Sequence, residues 1–106
     1  METTENNKLI AEFDQKYSIG FGLYDFDGCH YKLDELEFHK SWDWLMPAVD
    51  KIDSILSDDN LVTITYNRCL IEWYEEGITF EGLGNTRIEA TFNAVVEFIK
   101  AYNKQN

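Results

Sequence analysis

Basic residues are scarce in this chain: nine Lys and Arg stand against twenty Asp and Glu, for a net charge of −11. A protein that grips a phosphate backbone needs clustered Lys and Arg, so direct nucleic-acid binding is not expected. The imbalance is also local. Fourteen acidic residues face four basic ones between Asp25 and Glu81, whereas the stretch from Thr86 onward is slightly positive. Cysteine is nearly absent too. Cys29 and Cys69 form no C-x-x-C pair and are too few for a disulfide scaffold, so they read as reduced thiols of a cytoplasmic protein. No apolar run approaches the ~20 residues of a membrane span. The polar start Met1–Asn7 lacks the basic and apolar regions of a targeting segment. Proline occurs once, at position 47, and the two histidines, His30 and His39, lack metal-ligand spacing.

What is present suits a self-sufficient core. With 106 residues, 44% apolar and 15% aromatic, the chain is expected to form one α+β domain over residues 1–106. Asn7 reads as the N-cap of a short helix whose apolar residues at 9, 10, 13 and 17 share a face. An aromatic-rich run from Tyr17 to Phe26, broken by Gly20 and Gly22, meets Cys29–Leu33 across Asp27-Gly28. Asp-Gly between two such runs is a hairpin signal. Ser41 is placed to cap a second helix, whose stripe is Trp42, Leu45, Val49, Ile52 and Leu56. Pro47 should kink that helix or delay its start. Trp44 falls off the stripe, to pack on the preceding loop or stand exposed.

Between Leu61 and Gly82, turns at Asn67-Arg68 and Glu76-Gly77 put Val62, Ile64, Tyr66, Cys69, Ile71, Trp73 and Phe80 on one face. Thr63, Thr65 and Glu72 fall on the other. This predicts an antiparallel three-stranded meander with one wet face. A last helix follows a capping box at Thr86 and Glu89, with the stripe Ile88, Phe92, Val95, Ile99 and Tyr102. The predicted architecture is an antiparallel sheet, a meander plus an N-terminal hairpin, with helices packed on one face.

Motifs with a bearing on chemistry are weak. Gly82-Leu83-Gly84 precedes a helix, but Arg87 stands where a dinucleotide loop has its third glycine, and no second βαβ strand follows. Cys29 and His30 are adjacent in a strand and point to opposite faces, so they cannot act as nucleophile and base. Cys69 with His39 has nothing to favour it over a buried thiol and a surface imidazole. Asp25-Phe26-Asp27-Gly28 has its glycine too early for a calcium loop, and Asp34, Glu35 and Glu37 read as solvated carboxylates. The order helix, three strands, helix matches that of double-stranded RNA-binding domains, but without their phosphate-gripping bases.

The segments Asn7–Phe13, Ser41-Trp42-Asp43-Trp44-Leu45-Met46-Pro47 through Ile52, and Arg87–Ile99 together resemble a family of short uncharacterised proteins from Bacteroides-type gut bacteria and their phages. The resemblance transfers no activity. It implies an accessory protein of a mobile element.

No catalytic, cofactor or metal set assembles in the sequence. The expected function is therefore a non-enzymatic interaction or accessory module, phage-derived, with an unknown protein partner and no nucleic acid or membrane. Trp44, Asp43 and Pro47 are its candidate interaction residues. Two rival expectations are an acidic mimic of nucleic acid and a small enzyme or ligand binder with a pocket near Trp44.

Overall fold

In a computed structural model, the described residues are 2–13, 18–20, 23–26, 28–56, 61–73 and 76–105. The elements run α1 (Glu2–Phe13), β1 (Ser18–Gly20), β2 (Leu23–Phe26), β3 (Cys29–Lys32), a 3-10 turn (Leu33–Glu35), α2 (Trp42–Leu56), β4 (Leu61–Ile64), β5 (Arg68–Trp73), β6 (Ile78–Leu83) and α3 (Arg87–Gln105). The fold class is α+β, as predicted. The strands form two separate antiparallel sheets, ordered β1-β2-β3 and β4-β5-β6.

The hairpin forms where Asp27-Gly28 places it, with Phe26 opposite Cys29 and Gly28 at φ 82°; Asp27 itself lies outside the described residues, as does Tyr17. The run before it is two strands instead of one. Ser18 pairs with Tyr24, so the chain reverses near the glycines that were expected only to weaken a single strand.

Helix α1 starts five residues earlier than its predicted cap. Asn7 lies inside the helix and is buried, because its side chain has tertiary partners that a terminal position would not give it. In α2 the Ser41 carbonyl accepts from the Trp44 and Leu45 N–H groups, so the helix begins at Trp42 despite Pro47. Trp42, expected on the buried stripe, is 37% exposed, whereas Trp44 takes the first of its two expected places, packed on the preceding segment and 8% exposed. At the first turn a side chain leans back over the preceding residues, and this carries the Trp44 ring onto Phe38 and Tyr31.

In the meander both faces are as predicted and both turns are displaced. Ile64 pairs with Cys69 and Val62 with Ile71, while Trp73 pairs with Ile78 and Ile71 with Phe80. Each partner differs by two residues from the expected one, which leaves the inward set unchanged. Cys69, Ile71 and Trp73 are buried, with Val62, Ile64 and Phe80 packed beside them. Thr63 and Thr65 are exposed. Tyr66, expected on the apolar face, sits in the turn and is 71% exposed.

Helix α3 lies across β5 and β6 and, among the described residues, contributes more buried hydrophobic side chains than any other element. Beyond the predicted stripe, Ala90, Ala94, Val96 and Phe98 are also buried; Ala90 and Ala94 lie against Gly82 of β6, and Phe98 lies against Trp73 and Phe80 of the sheet. Phe98 is the hub, its ring meeting those of Phe13, Trp73, Phe80 and Tyr102. The strand–helix approach is close at Gly82. A Cβ there would stand 2.1 Å from the Ala90 carbonyl oxygen and 2.4 Å from the Ala94 nitrogen. Only glycine opposite two alanines allows that backbone contact.

Candidate functional site: a groove beside the β6 edge

The start of α3 is built by its own cap. Thr86 Oγ1 accepts from the Glu89 N–H at 3.2 Å, and the Glu89 carboxylate accepts from the Asn85 N–H at 2.6 Å. The second bond reaches one residue further back than the predicted box. With α3 fixed against Gly82, its outer side forms one wall of a groove. Strand β6 and the first turns of α1 form the others. The groove has a volume of about 490 Å³ and is lined by Thr3 and Asn6, by residues 81–83, and by Asn93, Val96 and Glu97 among others. A smaller cavity of about 240 Å³ shares Thr3, Phe92 and Asn93 with it and ends at His39, Thr86 and Glu89.

Backbone polarity on the strand side follows from the ladder. Thr65 N–H donates to the Arg68 carbonyl and Gly84 N–H to the Asn67 carbonyl. Bonded and non-bonded pairs alternate in an antiparallel ladder, so Arg68–Leu83, Leu70–Glu81 and Glu72–Thr79 are the non-bonded pairs. The N–H and C=O groups of Thr79, Glu81 and Leu83 therefore point away from β5. Among the described residues no strand lies on that side of β6. One outward carbonyl is already satisfied: Asn93 Nδ2 donates to the Leu83 oxygen at 2.8 Å. Leu83 itself is 60% exposed.

The charged residues lining the groove are Glu81, Glu97 and Lys100, and each carboxylate has a cationic neighbour at the exposed rim. Glu81 meets Arg68 across the sheet, and Glu97 lies 3.8 Å from Lys100. At the far end His39 is held from behind. Asn7 Nδ2 donates to the Leu36 carbonyl at 3.1 Å and lies 3.0 Å from His39 Nδ1. The Leu36 carbonyl can only accept, which fixes the amide nitrogen on that side; Nδ1 then accepts, and the neutral ring carries its proton on Nε2. Burial and the neighbouring Lys40 hold the His39 pKa below its ordinary value, with Glu37 opposing them. Asn7 is only 2% exposed, and its Oδ1 has no hydrogen-bond partner among the described residues.

The residues singled out in the sequence lie elsewhere. Trp44 is packed between Tyr31, at 4.9 Å, and Phe38, at 5.4 Å, and the space in which a pocket was expected holds these rings. Asp43 is exposed and Pro47 half-buried on α2, away from the groove. Cys69 is fully buried, and burial pushes its thiol up to about 11 against an opposing hydrogen bond from Thr91, so it is no nucleophile near neutral pH. Cys29 and Cys69 are both free thiols. Among the described residues no three His, Cys, Asp or Glu side chains stand together as a metal site, and no helix is long and apolar enough to cross a membrane. The groove escaped the sequence reading because its signal, Gly82 with Ala90 and Ala94, looks like ordinary turn and helix composition. No family model, curated protein or solved structure matches this chain.

Proposed function

We propose that this chain is a non-enzymatic interaction module that receives an extended segment of a partner polypeptide along the outer edge of β6. One observation carries the reading: backbone groups of Thr79, Glu81 and Leu83 point outward from β6, and Glu81 and Leu83 line a groove of about 490 Å³. Such an edge is a template for strand addition, in which main-chain hydrogen bonds supply the affinity and alternate side chains the specificity. The stretch from Thr79 to Leu83 spans ~14 Å at ~3.4 Å per residue, enough for a five-residue segment. The resemblance to short proteins of gut bacteria and their phages supports an accessory role in a mobile element. The two free thiols support a cytoplasmic setting.

The test is Glu81→Pro. Proline removes the outward N–H at the middle of the edge and breaks no β5–β6 bond, as at other edge positions where strands tolerate it. Partners captured from the native host by the wild-type chain should be lost by the variant, while its thermal melt shows the fold retained. A partner that binds both proteins equally would overturn the reading.

A further inference from the structure

Resting on that reading, we infer that the segment received along β6 is a basic one, with Lys or Arg at alternate positions. The groove offers the partner carboxylates in the two directions a strand's side chains take. Glu81 stands on the outer sheet face of the edge strand, so its neighbour on an added strand meets a carboxylate directly. Glu97 lines the groove on the α3 side, where the opposite set of side chains would point. Arg68 and Lys100 neutralise these two only in part, as exposed pairs screened by solvent. Beyond them the chain carries twenty acidic residues against nine basic. An acidic segment would have to approach this field and then place like charges side by side on the ladder, which is destabilising. The same field disfavours a second copy of this chain as the occupant.

The inner wall limits size as well as charge. Thr3, Asn6 and Asn93 are short polar side chains, and Asn93 already occupies the Leu83 carbonyl. The added strand therefore pairs through the Glu81 carbonyl and the N–H groups of Thr79, Glu81 and Leu83, and its inward residues meet polar groups and Val96. Long flexible cationic side chains fit here by laying their stems along the groove and their heads at Glu97.

The experiment is a selection of random ten-residue peptides on the intact chain, followed by amide hydrogen exchange with the winners bound. Lys and Arg at alternate positions, with slowed exchange at Glu81 and Leu83, is the expected result. Affinity of a selected peptide should fall roughly fivefold in Glu81→Gln or Glu97→Gln, the scale of one cross-strand charge pair, and should fall again as salt is raised. Slowed exchange on β6 by peptides with no basic bias would overturn the charge inference alone. Winners that protect another element, or no winners at all, would overturn the edge reading itself. Glu97 lies on α3 and makes no ladder contact, so its variant still reports if Glu81→Gln disturbs the sheet. A dimer that forms through β6 in the peptide-free chain would also count against the inference.

Discussion

The two three-stranded sheets are similar in plan and differ in how they are held. In β4–β6 the inward side chains Cys69, Ile71 and Trp73 are buried against α3, and the helix backbone touches the strand at Gly82. In β1–β3, among the residues whose side chains are described, only Tyr24 is buried, and the sheet joins the core through Tyr24 and through Tyr31 on Trp44. Around it, single polar fastenings add to the burial of Ile10, Ala11 and Phe13. Asn7 holds Leu36 and His39, and the Lys51 ammonium donates to the Phe13 carbonyl while sitting over the Phe13 ring. One sheet is secured by continuous packing, the other by clasps. Continuous packing shares its loss among many neighbours, whereas a clasp fails locally.

The largest expected effect lies at the hub. Phe98→Ala should cost ~3–5 kcal/mol in a urea melt, because four rings lose their common partner. Gly82→Ala comes next, at ~1–3 kcal/mol, since its Cβ would meet helix backbone that cannot rotate away. If this variant melts like the wild type, the close approach is not what seats α3.

Tyr31→Ala tests the other half of the comparison. It removes a half-buried ring edge-on to Trp44 and should cost ~1–2 kcal/mol. Amide exchange should rise in β2 and β3 while β5 stays protected. Equal acceleration in both sheets would mean that they are held as one.

These contrasts also explain what was legible in the sequence. The inward set of β4–β6 could be read because burial on one face leaves a period of two, but burial is blind to a partner shift of two. Both turns were placed one residue too late for that reason. The α3 stripe was visible from its spacing, yet Phe98 was not, since it lies off that stripe on the side that meets Trp73 and Phe80 of the sheet. Asn7 looked like a cap because asparagine usually is one; its partners Leu36 and His39 lie 29 and 32 residues away. Trp42 was placed on the buried side because periodicity does not fix direction at the first turn of a helix. Nothing about the groove could be read from single segments, because it takes α1, from the other end of the chain, to complete it beside β6 and α3.

A gentler break of the N-terminal clasp is acid. The folded His39 pKa lies below its ordinary value of 6.5. The unfolded chain therefore binds this proton more readily, and stability must fall as pH drops. The contribution of His39 is fully present above the unfolded value, declines below about 6.5 and levels off under the folded pKa. His39→Gln should flatten that part of the stability–pH curve. An unchanged slope would show that another group is responsible. The smallest expected effect belongs to the outer face of the packed sheet: Thr63→Ala, on an exposed position, should stay within ~0.5 kcal/mol.

Helices α1 and α3 lie side by side and point the same way. Thr3 shares the cavities with Phe92 and Asn93, near the start of α3, while Phe13 stacks edge-on against Phe98 and Tyr102, near its end. The step along α3 from Asn93 to Tyr102, at ~1.5 Å per residue, separates the two levels by ~14 Å. A tag or fused protein joined ahead of α1 emerges near the Thr3 end of the groove, and one joined after α3 emerges past Lys100, at its other end. The choice of attachment end therefore decides which end of the groove stands nearer to the label.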